Sequence, residues 1–250
     1  MTPDWTPLDH ELDLWEKESL TLPLWWRDDD AIAPTPQLDR LSEMSQRLGL
    51  PVHLAVIPKL AEEALAEHVR VRPHLLPVVH GWAHENHAPE GEKKSEFRLH
   101  RPLEEMLAEA AAGQARLADL FGASLRSVFV PPWNRIAPEM ANGLPELGFQ
   151  VLSTATPRKA RLAAPGLEQV NTHIDPIDWR GTRGLLPTGL LIARLVSLLQ
   201  DRREGRADNT EPLGLLTHHL VHDEQIWNFT EMLVSRLMAG PVRIWTAPQV

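Results

Sequence analysis

The sequence contains no cysteine. That excludes a disulfide framework, a thiolate nucleophile and a Cys-ligated zinc, so any bound metal has to be held by histidines and carboxylates. No apolar run approaches the roughly 18 residues of a membrane span, and the start, Met1-Thr2-Pro3-Asp4-Trp5, lacks a basic region followed by an apolar stretch. The expectation is a cytoplasmic protein with no membrane partner. Cations are in deficit, 25 Lys and Arg against 34 Asp and Glu for a formal net charge of −9, which opposes the phosphate neutralisation a general nucleic-acid binder supplies. A nucleic-acid partner is therefore not expected. Glycine-rich phosphate loops are missing as well: no GxGxxG follows a strand pattern and no GxxxxGK[ST] occurs, so no nucleotide cofactor is expected. Tyrosine is absent, against 9 Trp and 12 His.

With 43% hydrophobic and 24% charged residues, the composition is that of a globular chain with material for a sizeable core. Its 250 residues fit a single catalytic domain, 1–250, with 1–20 as an N-terminal lead. Short apolar runs at 22–27, 52–57, 75–79, 128–130, 149–153, 213–216 and 242–245 read as buried strands. Helical patterns at 36–48, 59–69, 102–121, 138–147, 186–203 and 224–238 separate them, while 88–101 reads as a loop and 154–178 as a Pro/Gly-punctuated section. Such alternation is that of a parallel α/β fold. Nearly every strand run ends in polar, chemistry-bearing residues, as expected where sites gather on the carboxyl face of a barrel.

The first run stops at Asp28-Asp29-Asp30. Three adjacent carboxylates raise one another's pKa unless a cation or a strong donor offsets them. His80 and His84 are spaced to reach one ion from a helical turn or tight loop, and with a strand-end acid they make the two-histidine, one-carboxylate set of a catalytic zinc site. Trp25 and Trp26 read as barrel core rather than a sugar platform. His53, His68, His74 and His100 read as surface or satisfied polar groups, and His222-Asp223-Glu224 as a helix start.

Arg27-Asp28-Asp29-Asp30, His80-Gly81-Trp82-Ala83-His84, Phe129-Val130-Pro131-Pro132-Trp133, Asp175-Pro176-Ile177-Asp178-Trp179 and Leu215-Leu216-Thr217-His218-His219 together resemble, in order and rough spacing, the five motifs of the polysaccharide deacetylase family (NodB-like, carbohydrate esterase family 4). The resemblance implies an irregular (β/α) barrel of about seven parallel strands and one divalent metal, most simply Zn2+. It makes Asp28 the general base, Asp29, His80 and His84 the metal ligands, and His218 the catalytic acid. Trp133 would supply an oxyanion-holding N–H, and Asp178 and Trp179 would support the site. Three positions depart from the pattern. Asp30 replaces a usual glycine, so a register one residue later would give the base and ligand roles to Asp29 and Asp30. Val130 replaces an arginine that orients the base, a task open to Arg27, Arg98, Arg101 or Arg135. His219 stands where an aspartate is more common.

The expected activity is metal-dependent removal of an acyl group, first of all acetyl, from a carbohydrate or carbohydrate-like small molecule or oligosaccharide. The alternatives are a catalytically silent barrel that binds carbohydrate, or another metallohydrolase of similar fold.

Overall fold

Strand β1 (Leu22–Ala31) shows how the sequence builds two cores at once. Successive strand residues point to opposite faces. Leu22, Leu24 and Trp26 join the large core between sheet and helices, whereas Trp25 joins a second cluster with Ala55, Val78, Val128, Val130, Val151 and Val170 inside the barrel. Both faces are buried, which is why these strands appear in the sequence as continuous apolar runs. Trp25 and Trp26 are fully buried, their indole N–H groups donating to Asn171 O (3.1 Å) and Thr217 Oγ1 (2.8 Å). They are core, as expected.

In this computed structural model, which describes residues 3–250, β1 is flanked by β2 (Val52–Val56) and, in turn, by β3 (Leu75–His80), β4 (Val128–Val130) and β5 (Val151–Leu152). A short hairpin, β6 (Leu162–Ala164) and β7 (Leu167–Gln169), occupies part of the stretch expected to be irregular. On the other side of β1 lies β8 (Leu213–Thr217), and β9 (Val242–Ile244) pairs with the start of β1. The order β8-β1-β2-β3-β4-β5-β7 is parallel throughout. Beyond β7 the chain pairs Thr172 with Ala155 and then Ile174 with Leu215; His173 N donates to Gly214 O (2.7 Å) and Leu216 N to Ile174 O (2.8 Å). One segment thus runs from β5 across to β8 and curls the sheet into an irregular barrel of seven parallel strands, as the resemblance implies.

The helices α2 (Pro36–Leu48), α3 (Glu63–Arg70), α4 (Leu103–Phe121), α5 (Pro138–Gly143), α6 (Thr188–Arg203) and α7 (Glu224–Ala239) connect the strands. α2 illustrates the local coding: Thr35 Oγ1 accepts from Leu38 N at 3.0 Å, Pro36 opens the helix and Gly49 closes it in the left-handed region (φ 73°). The N-terminal lead is mostly a helix, α1 (Thr6–Lys17), which packs on α6 with Leu8, Leu12 and Trp15 buried. Trp15 Nε1 donates to Leu199 O. Among the described residues, no helix is long and apolar enough to cross a membrane.

Candidate active site

The three aspartates lie within β1, not after it, and the strand's period decides where each goes. Arg27 and Asp29 share the face of Trp25, toward the barrel interior, while Asp28 shares the face of Trp26, toward the helices. Between Asp28 and Ala31, β1 carries one residue more than β2 opposite, and Asp30 sits in the left-handed region at φ 76°. This is a β-bulge, which re-aims a side chain, and aspartate is among the few residues that tolerate such a φ. Asp30 therefore follows Asp29 to the mouth of the barrel.

There Asp30 Oδ1 lies 3.1 Å from His80 Nε2 and 3.4 Å from His84 Nε2, and one donor atom from each of the three falls within 4.8 Å of the others. The donor chemistry suits a metal. His80 Nδ1 is 3.0 Å from Val130 O and has only a carbonyl to bond, so it carries a proton; in the neutral ring Nε2 would offer its lone pair to an ion, the usual outer arrangement of a ligating histidine, and when protonated instead it donates to Asp30 Oδ1. Burial would raise the Asp30 carboxyl, but the hydrogen bond and charge of His80 outweigh it and hold the group well below the ordinary range. Asp29, expected from the resemblance as the carboxylate ligand, is not in this set.

The loop carrying His84 is braced from behind. Glu96, almost fully buried, accepts from Ala83 N (2.8 Å) and Trp82 N (3.3 Å). A Cβ on Gly81 (φ 56°) would lie 2.4 Å from Glu96 Oε2 and 2.6 Å from Pro132 Cδ, so only glycine allows this approach. The 88–101 segment is thus partly an anchor, with Ser95, Glu96 and Phe97 buried. Burial raises the Glu96 carboxyl despite these donors.

Asp28, expected to be the base, is fully buried on the helix side of β1. His219 Nδ1 donates to its Oδ1 (2.5 Å), and Thr217 Oγ1 (2.6 Å) and His219 N (3.0 Å) donate to its Oδ2. Burial would raise this carboxyl, but the charge and hydrogen bond of His219, with the Thr217 hydroxyl, lower it below the usual value. Every bond it makes points away from the mouth, so strand alternation removes Asp28 from the site and gives His219 a structural partner.

Asp29 takes the position facing the mouth. Arg27 forms a buried ion pair with it, a terminal nitrogen donating to Oδ2 at 3.0 Å and Nε lying 2.9 Å from Oδ1 without hydrogen-bond geometry. The guanidinium also donates to Ser153 Oγ (2.8 Å) and Asn134 Oδ1 (2.7 Å). Of the four arginines weighed for the task left open at Val130, Arg27 is the one bonded to an aspartate of this strand. His218 Nε2 stands 4.0 Å from Asp29 Oδ2.

Trp133 and Asn134 both lie in the left-handed region (φ 55° and 57°), a strain that Asn134 helps hold through Arg27 and that places the Trp133 ring 4.4 Å from that of His84. Trp179 packs edge-on against His218 at 4.7 Å, and its indole N–H donates to Asp175 Oδ2 (2.7 Å). Asp178 does not join them: its carboxylate accepts from Gly181 N and Thr182 N in its own loop. The acid that Trp179 engages is Asp175, whose carboxyl burial raises and the His218 charge partly lowers. His222 packs on Trp227, behind Asp223, which caps α7 through Ile226 N. Asp175 and Glu96 were not picked out from the sequence; Glu96 has no local signal, whereas Asp175 stands in the same motif as Asp178.

No family model and no curated protein matches the sequence. Solved structures do match it. One is a protein from Mycobacterium smegmatis assigned as a polysaccharide deacetylase (TM-score 0.61, 14% identity, covering 85% of this chain and 73% of that one). Another is a mutant of a family 4 carbohydrate esterase pseudoenzyme with restored enzymatic activity (0.57, 12%, 90% and 65%). The chain has the fold of the family 4 deacetylases. A family 4 acetyl xylan esterase from Clostridium thermocellum in complex with a cobalt ion matches as well (0.51, 12%, 89% and 87%).

Proposed function

We propose that the protein is a metal-dependent hydrolase that removes an acyl group, in the first instance acetyl, from a carbohydrate or carbohydrate-like substrate. One observation carries this reading: a carboxylate held by a buried arginine, Asp29, stands beside a separate two-histidine, one-carboxylate donor set and within 4.0 Å of a histidine, His218. A binding scaffold has no need of that combination.

Asp30, His80 and His84 would hold one divalent ion, with zinc the expected choice for this donor set. When bound, such an ion supplies Lewis acidity, making water easier to deprotonate and a carbonyl easier to attack. Asp29, fixed by Arg27, accepts the proton of the attacking water as general base. Trp133 contributes a backbone N–H toward the negative charge that builds on the carbonyl oxygen. His218, packed edge-on against Trp179, gives a proton to the departing amine or alkoxide as general acid. The departures at Asp30 and Val130 are compatible with catalysis, since Asp30 belongs to the donor set and Arg27 pairs with the proposed base.

The deciding experiment is release of acetate from acetylated mono- and oligosaccharides by metal-stripped protein and by protein given back one equivalent of Zn2+ or Co2+, with a phosphate ester in parallel. Acetate released only by the metal-loaded protein supports the proposal. Phosphate release instead, or no turnover of any acetylated sugar, refutes it.

A further inference from the structure

An aromatic ring lies against two of the three site histidines, His84 and His218, and a cation lies over each ring. Trp133, 4.4 Å from His84, has Lys94 Nζ 6.0 Å from its centroid. Trp179, 4.7 Å from His218, has Arg183 Cζ at 5.9 Å. Both cations are exposed, and neither forms an ion pair with an acidic side chain among the described residues, although many other Lys and Arg side chains do. The acids of the Trp179 loop are engaged locally: Asp175 accepts from Trp179 Nε1 and Ile177 N, and Asp178 from Gly181 N and Thr182 N. Arg183 is held at φ 60°, where non-glycine residues are uncommon.

In a chain of net charge −9, unpaired cations at both edges of one site run against the field of the rest of the surface. Exposed cations at the rim of a site draw anions by their local field, and a guanidinium or ammonium over an aromatic face keeps its donors free for an anion.

We propose that the substrate carries an anionic group, a carboxylate or a phosphate, near the acyl group it loses, and that Arg183 and Lys94 recognise it. This deepens the hydrolase reading and rests on it for the placement of the acyl group, though not for the binding of the anion.

The test uses Zn2+-loaded protein in two assays. The first compares kcat/KM for acetate release from acetylated glucuronic acid, acetylated glucose 6-phosphate and acetylated glucose. The second measures equilibrium binding of the corresponding unacetylated sugars. At low salt, one or both anionic compounds should be preferred over the neutral one by at least about tenfold, and the preference should shrink as salt rises. The two charged compounds separate carboxylate from phosphate recognition. Arg183→Glu and Lys94→Glu should each lower the charged-to-neutral ratio, while Arg183→Lys should keep more of it than Arg183→Glu. If charged and neutral sugars bind and react within twofold of one another, or if both charge reversals leave the ratio intact, the proposal is wrong. Salt-sensitive binding of the anionic sugars without acetate release would sustain anion recognition and sink the hydrolase reading. Turnover of all three without preference would do the opposite.

Discussion

Asp29 and Asp30 are adjacent in the chain, yet their carboxylates answer to different partners: both oxygens of Asp29 meet the Arg27 guanidinium (2.9 and 3.0 Å), and Asp30 Oδ1 meets His80 and His84 (3.1 and 3.4 Å). The bulge between Asp28 and Ala31 makes this possible. The two aspartates should therefore separate cleanly by mutation. Asp30→Asn and His80→Ala should lose most of the bound divalent ion. Asp29→Asn should keep it while turnover falls on the order of 10²–10⁴, the usual contribution of one acid–base group. Elemental analysis beside acetate release checks both; full metal in Asp30→Asn with loss in Asp29→Asn would return the ligand role to Asp29.

Arg27 is fully buried and binds Asp29, Ser153 and Asn134 at once. Removing one member of a buried ion pair leaves the other uncompensated, at a cost of about 3–5 kcal/mol. Arg27→Met should lower stability by that order and nearly abolish turnover, whereas Arg27→Lys, which keeps charge but cannot bond Asp29, Ser153 and Asn134 together, should recover more stability than activity. Urea unfolding and kcat on the same preparations test the split. An Arg27→Met protein with wild-type kcat would remove Arg27 from its positioning role.

Gly81 is a sharper probe of the metal loop than either histidine, because it touches no ion. A Cβ there meets Glu96 Oε2 and Pro132, and the residue has φ 56°. The backbone penalty alone is about 1–2 kcal/mol for an L-residue in the left-handed region. Gly81→Ala should weaken metal retention and lower Tm, and Glu96→Gln should do so less, since its amide oxygen still accepts from Ala83 N. Equal metal affinity in wild type and Gly81→Ala would show that the loop tolerates displacement.

How much of this was legible in the sequence follows from the length scale of each feature. Apolar runs ending in polar residues mark the strands and the carboxyl face, because burial on both sides of a parallel sheet leaves a plain pattern. The Asp28-Asp29-Asp30 register is not legible: a period of two governs β1 through Asp29, and the bulge that resets it depends on pairing with β2, which no local pattern encodes. Helix α1 was hidden by its many polar residues, although Leu8, Leu12 and Trp15 keep helical spacing. Arg27 and Asp29, two apart on a strand, were open to recognition as a same-face pair. Glu96 was not, since only the folded loop brings it under Ala83.

His53 offers a pH test away from the site. It is fully buried, its Nδ1 bonded to Trp26 O and its Nε2 accepting from Ala247 N, so the neutral ring satisfies both neighbours and a second proton breaks one bond. Burial pulls its pKa down to about 3. The folded state then binds fewer protons than the unfolded state between that value and 6.5, so this group's contribution to stability is intact above 6.5 and erodes as pH falls, by about 1.4 kcal/mol per unit. His53→Gln, whose amide can donate to Trp26 and accept from Ala247, should flatten the loss between pH 6.5 and 4.5 on metal-free protein. Identical pH slopes in wild type and variant would exclude this origin.

The paired histidines after β8 carry the last prediction. His218 stands 4.0 Å from Asp29 and against Trp179, facing the mouth, while His219 is fully buried with its Nδ1 on Asp28. Their phenotypes should therefore differ in kind. His218→Ala should keep its metal and its Tm and lose on the order of 10²–10⁴ in rate on an amide or unactivated ester, because the leaving group then departs without a proton. On an activated aryl acetate, whose leaving group needs none, most of that loss should vanish. His219→Ala strips a hydrogen-bonded partner from the buried Asp28 carboxylate, so it should unfold more easily, by about 3–5 kcal/mol, and should lose activity on both substrates in step with the folded fraction. A His218→Ala protein equally impaired on the aryl acetate and on the amide would show that His218 does more than deliver a proton. A stable, selectively amide-defective His219→Ala would move the acid to His219.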